Sequence, residues 1–197
     1  MPKPSLRDKI LEAGLRVMFR SGYVGSGVRE IVAEAGAPQG SFTNHFRSKE
    51  VFAGEVLDRY FAHVTGLVSQ ALDDKNLAPR ARLRRYLDII TERLAADEFS
   101  RGCLIGDLSL EAAPQSELLR ERLATIFTQW RTPFAACIAE GQARGEISAA
   151  FAADELADFL LASWQGAMLR MKVTRDATPL ERFKTIAFAT VFKEDQR

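Results

Sequence analysis

An all-α fold is what this sequence predicts, on three observations. Apolar residues recur at spacings of three and four along almost the whole chain, no run alternates with period two, and Pro, Gly and Ser fall between the periodic stretches. With 47% of its 197 residues apolar, the chain can bury one good-sized core, or a small domain joined to a larger one.

The first helix opens at Ser5, a hydroxyl suited to an N-cap, and its inward stripe is Ile10, Leu11, Leu15, Met18 and Phe19. Ser21-Gly22 should stop it. A short second helix carries Val28, Ile31, Val32 and Ala35 and ends at Gly36, the residue that tolerates a left-handed cap. A third is expected from Pro38, whose missing N–H costs nothing in a first turn, to about Phe46. Ser48 caps a longer fourth helix, without the reciprocal Glu of a full capping box, that runs through Leu72 to the break at DDKN.

Pro79 opens a fifth helix through Leu94, and Gly102 to Ala113 reads as a short, mostly apolar sixth. Ser116 to Ala143 is long and contains Pro133, so a kink is expected there, with Gly145 beyond its end. Phe151 to Val173 and Pro179 to Phe192 complete a set of about nine. No fixed-period repeat and no low-complexity linker divides them, so head and body should share the fourth helix. The expected division is a small N-terminal domain over residues 1–50 and a larger domain over 51–197.

Charge narrows the partners only slightly. The net charge is +1, but residues 1–50 hold eight Lys/Arg against five Asp/Glu, a balance of +3 that leaves −2 for the remainder. A mildly basic head on a mildly acidic body is compatible with nucleic acid. MPKPSLRDKI has no signal-peptide apolar run and later apolar runs are broken by charge, so a cytosolic protein with no membrane partner is expected. Two distant cysteines, Cys103 and Cys137, make neither a disulfide framework nor a zinc site, and two histidines, His45 and His63, add no metal site. Neither cofactor nor metal is expected. Gly25-Ser26-Gly27 follows no strand and lacks a third glycine, so it is not read as a phosphate loop.

Two short helices joined by a Gly-containing turn form the helix-turn-helix pattern, in which the second helix enters the DNA major groove. Phe42 and Phe46, four apart, would hold that helix down while Gln39, Gly40, Ser41, Thr43 and Asn44 are left to contact DNA. Gln and Asn can pair bidentately with adenine, Ser and Thr serve several bases, and Gly40 lets backbone approach a phosphate.

The stretch GYVGSGVREIVAEAGAPQGSFTNHFRSKEVF resembles the N-terminal DNA-binding domain of the TetR family of bacterial transcriptional repressors. The likeness covers roughly residues 5 to 55 and lies in an ordered series: G-Y, I-x-x-x-A-G, G-S-F-x-x-H-F, S-K-E. It implies an all-α homodimer that binds a double-stranded DNA operator, with a variable body that binds a small effector. On that resemblance Ser26, Gln39, Thr43, His45 and Lys49 fall on DNA-contact positions, Lys49 toward phosphate. Thr43 stands where the family usually has Tyr, so the operator preference does not carry over.

In the body, Phe127, Trp130, Trp164 and Met168 read mostly as core, with a minority lining a pocket, and Asp107, Gln129 and Gln165 as polar candidates beside them. Cys103, near Arg101 and in the expected first turn of the short helix, has two reasons to favour thiolate. GCLIGDLSLE and ASWQGAMLRMK resemble the body of a subset of these repressors that respond to quinones, aldehydes or unsaturated carbonyl compounds. In that subset a cysteine at the Cys103 position is modified or contacts the effector, and Lys172 would face the same region. Cys137 reads as packing. The two C-terminal helices carry apolar surface that one subunit would struggle to bury, which points to a two-fold dimer interface.

The reading is therefore a ligand- or electrophile-responsive repressor, not an enzyme. Two alternatives stand beside it: a cysteine-dependent enzyme acting on electrophiles, which lacks a His base near Cys103 in sequence, and a DNA-binding protein with no effector. Activation rather than repression is also open.

Overall fold

The structure, a computed structural model, describes residues 5–193. Lys3, counted in the basic head, lies outside the described residues. Among these residues there are nine helices and no strand: α1 (Leu6–Gly25), α2 (Val28–Glu34), α3 (Ser41–His45), α4 (Lys49–Leu72), α5 (Pro79–Ala96), α6 (Leu104–Glu111), α7 (Glu117–Ala143), α8 (Ala153–Thr174) and α9 (Thr178–Thr190). They divide into two compact units, residues 5–63 with Leu104–Ile126, and Val64–Cys103 with residues 127–193.

In the first unit, α1 starts as its sequence dictates: the Ser5 hydroxyl accepts from the Asp8 N–H at 3.1 Å. Its buried face is Ile10, Leu11, Ala13, Gly14, Val17 and Met18. Leu15 and Phe19 are only half-buried, at the margin of that face, with Phe19 edge-on to Tyr60 at 5.5 Å. Phe52 of α4 packs so close to α1 that a Cβ on Gly14 would overlap its ring. Phe52 is fully buried, and burying such a side chain is worth about 1.5–3 kcal/mol.

Two expectations are corrected here. Ser21-Gly22 does not end α1; Gly22 adopts φ 71°, ψ −177°, and the helix resumes through Gly25, so the predicted stop is a kink. Likewise α3 begins at Ser41, not Pro38. The Ser41 N–H bonds to the Pro38 carbonyl at 2.9 Å in an i→i+3 turn, so Pro38 to Gly40 form a turn ahead of the helix. Gly36, with φ 62°, closes α2 as expected, and the Ser48 hydroxyl accepts from the Val51 N–H at the head of α4.

In the second unit α8 packs along α9, with Trp164 against Phe183 at 5.5 Å. Arg80 of α5 donates to the carbonyls of Phe188 and Phe192 at 2.8 and 2.6 Å, serving acceptors that the end of α9 leaves open. Buried Lys184 pairs with Asp88 at 2.6 Å and Glu181 at 2.8 Å, joining α9 to α5. Cys137 is buried and its thiol donates to the Pro79 carbonyl, in keeping with a packing role. Burial pushes that thiol up to about 11.

α7 runs from Glu117 to Ala143 as one helix with Pro133 inside it. Pro133 cannot serve the carbonyl of Gln129, and Gln129 is exposed, on a face where water can take the donor's place. The sixth helix is shorter than expected and opens at Leu104, so Cys103 immediately precedes it and is not part of its first turn. At the head of α8 the Glu155 carboxylate accepts from the Ala152 N–H at 3.0 Å, which places the helix start beyond Phe151.

Candidate functional site

The α2–α3 pair is joined by a turn in which the Gly36 and Ala37 N–H groups bond back to Ala33 and Val32. From α3 and the residue after it, Phe42 and Phe46 turn inward and meet Phe52 in a mutual cluster, with ring centroids 5.2, 5.1 and 4.7 Å apart. Tilted and edge-on aromatic pairs of this kind are attractive beyond the area they bury. Both phenylalanines are buried, as their spacing predicts. Gln39, Gly40, Thr43, Asn44 and His45 are exposed, and so is Arg47, a cation beside this face that the motif reading passed over. The Thr43 hydroxyl donates to the Gly40 carbonyl at 3.1 Å and shares the exposed side with its neighbours.

Three of the residues expected at DNA are buried or half-buried. Ser41 is 7% exposed, because it opens the helix on the side that faces the core. Ser26 is 1% exposed and its hydroxyl donates to the Tyr23 carbonyl at 2.9 Å, so it closes the α1–α2 turn. Lys49 is half-buried, with its ammonium donating to the Tyr23 carbonyl at 2.5 Å and lying 4.6 Å from the Tyr23 ring centre. Burial holds its pKa below the ordinary lysine value, against the opposing pull of Glu111. Sequence signals did not reveal Tyr23 or Glu111: the first is 26 residues from Lys49, and the second is 87 from Val24, whose N–H it accepts.

Of the effector candidates, Asp107 lies on α6 in the first unit, and the others lie in the second. Cys103, at 6% exposure, Trp130, Trp164 and Met168 are buried; Gln165 and Lys172 are half-buried. Phe127, exposed at its outer edge, stacks near-parallel on Trp130 at 6.4 Å. Tyr86 links two of these candidates. Burial raises its hydroxyl pKa, nearby Cys103 adds to the rise, and the Trp130 indole N–H opposes it. That indole nitrogen approaches the Tyr86 oxygen but falls short of hydrogen-bonding alignment. The indole nitrogen of Trp164 and the amide nitrogen of Gln165 are likewise buried donors without an aligned protein acceptor. Among the described residues no group of three or more His, Cys, Asp or Glu is placed to hold a metal, and no helix is long and apolar enough to cross a membrane.

Residues 10–56 match the bacterial regulatory proteins of the tetR family, and residues 79–187 match the tetracyclin repressor-like C-terminal domain. The chain belongs to the TetR family. Within that family it is similar to the HTH-type transcriptional repressor DhaR of Mycobacterium sp. (strain GP1), at 45% identity over 95% of this chain and 93% of that protein. The crystal structure of regulatory protein TetR from Rhodobacter sphaeroides superposes with a TM-score of 0.87 at 36% identity, covering 92% of this chain and 97% of that one. The reduced form of Escherichia coli NemR gives 0.83 at 26% identity, covering 96% and 99%. This TetR-family chain is thus a helix-turn-helix transcriptional repressor and not an enzyme.

Proposed function

We propose that this TetR-family repressor binds a near-palindromic operator as a homodimer in the cytosol and is released by a small, electrophilic effector. Residues 1–50 act as the DNA-binding domain and residues 51–197 as the effector-binding and dimerisation domain. The observation that carries the reading is the anchoring of α3: with Phe42 and Phe46 packed on Phe52, the side chains of Gln39, Thr43, Asn44 and His45 are left on the open side. Such a face suits the major groove, where Gln and Asn discriminate adenine and Thr contacts a thymine methyl. Two copies held about 34–36 Å apart fit successive grooves.

Dimerisation through α8 and α9 is supported by their outer surface. A groove of about 530 Å³ runs between them, lined in part by Phe159, Phe183 and Ile186. Phe159, Leu169, Val173 and Ile186 are large apolar side chains left exposed on these helices. The same patch on a second copy would cover them.

For the effector, Cys103 is buried in the same unit as Trp130, Trp164 and Met168. The thiol there adds across the C=C bond of an unsaturated carbonyl compound: a C–S bond forms at the β-carbon as the π bond breaks, and the thiol proton ends on the α-carbon. Cys103 is joined directly to Leu104, the first residue of α6, so bulk added at the sulfur acts at the start of a helix that packs on α1. Buried donors on Trp164 and Gln165 suit an effector that carries an acceptor oxygen. Reciprocity requires operator DNA to weaken effector binding by the factor by which effector weakens DNA binding, typically about 1–3 kcal/mol. Cys103→Ser is the test: operator binding should persist while release by an unsaturated aldehyde is lost. Unchanged release would make the thiol structural.

A further inference from the structure

We propose that Glu111, the last residue of α6, is a positioning residue for operator recognition, holding the α1–α2 turn, and hence the entry of the helix-turn-helix, through the Val24 N–H. The inference rests on the reading of α3 as the DNA-contacting helix.

The kink at Gly22 makes the contact possible. With φ 71° and ψ −177°, Gly22 leaves the helical path, and the Val24 N–H donates to Glu111 Oε2 at 3.1 Å. A Cβ built on Gly22 would collide with that carboxylate, so the side chain of Glu111 occupies the space a larger residue would need. Position 22 requires glycine for its backbone conformation, and the absence of a side chain leaves room for the acid from α6.

A carboxylate at the carboxyl end of a helix is electrostatically out of place, since the helix dipole favours cations there. The charge of Lys49 lessens the conflict. Its ammonium donates to the Tyr23 carbonyl at 2.5 Å, lies 3.5 Å from the Val24 carbonyl, and is attracted by Glu111. The Tyr23 carbonyl also accepts from the Ser26 hydroxyl. Between Tyr23 and Ser26, then, backbone donors and acceptors are served by side chains from α4 and α6, although Val24 itself is 59% exposed and its side chain contributes little packing. The segment held this way leads at once into α2, and from α2 into α3.

The test compares two duplexes: one selected from a random pool by the parent protein, and one scrambled. Glu111→Ala should weaken binding to the selected duplex about tenfold, the scale of one lost hydrogen bond to a charged group. Binding to the scrambled duplex should be unchanged or stronger, because removing a negative charge beside Lys49 favours phosphate. Glu111→Gln keeps an acceptor for Val24 but not the charge, so an intermediate loss of about threefold on the selected duplex is expected. This near-isosteric variant carries the test if the alanine variant does not fold. Parent-like affinity for the selected duplex in Glu111→Gln, or equal losses on both duplexes in either variant, overturns the assignment. A parent protein that selects no duplex contradicts instead the placement of α3 as the reading helix.

Discussion

Arg82 and Glu140 form an ion pair, Nη2 to Oε2 at 2.6 Å, in which the arginine side chain is 1% exposed. The same guanidinium donates through Nη1 to the Leu72 carbonyl at 2.9 Å, so one cation ties the end of α4 to α5 and α7. Lys75 and Arg144 add to the positive surround of Glu140, at 3.2 and 2.9 Å. The short Arg82–Glu140 distance is not matched by good N–H alignment, so the contact is an ion pair more than a directed hydrogen bond.

Arg82 first, then Lys75, holds the Glu140 carboxyl down to about 2 from an ordinary value of 4.5. A depressed folded-state pKa gives stability that is present above the unfolded value and lost as pH falls through the folded one. Thermal unfolding of the parent and Glu140→Gln should therefore differ by a constant amount above about pH 4.5, with the parent more stable. The difference should close as pH falls toward about 2. A gap that does not change over that range would show that Glu140 contributes by packing alone.

Phe52 is the shared partner of Phe42 and Phe46 and is fully buried. Phe52→Ala should lower stability by about 3–5 kcal/mol, read from the midpoint of urea unfolding. Gly14→Ala should also destabilise, by about 1–3 kcal/mol, because its methyl would meet the Phe52 ring. In the Phe52→Ala background the glycine substitution should lose most of its effect, since the clash has gone. Additive losses would show that Gly14 is required for another reason.

Local signals made the helices legible and left most of their fine placement hidden. Ser5, Gly36, Ser48 and Pro79 announce helix ends through short-range chemistry, and each falls where its residue type requires. Period also separated Phe42 and Phe46 from the exposed side of α3. It failed at Ser41, where a turn at Pro38 delayed the helix and left the hydroxyl on the buried side. Ser26 and Lys49 were legible as polar residues near a motif, but not as partners of the Tyr23 carbonyl. Glu111 with Val24, and Arg82 with Glu140, pair residues 87 and 58 positions apart, and no pattern in one sequence encodes such distances. Cys103 stood out by its neighbours, whereas its burial emerges only from the fold.

The central claim is that the open side of α3 and of the turn before it reads bases, and binding of Gln39→Ala and Thr43→Ala to the parent-selected duplex tests it most directly. Each should weaken that complex by about 1–3 kcal/mol and relax the base preference at one position per half-site, while affinity for scrambled DNA and the salt dependence stay as in the parent. Equal weakening on selected and scrambled DNA, or none on either, would contradict it.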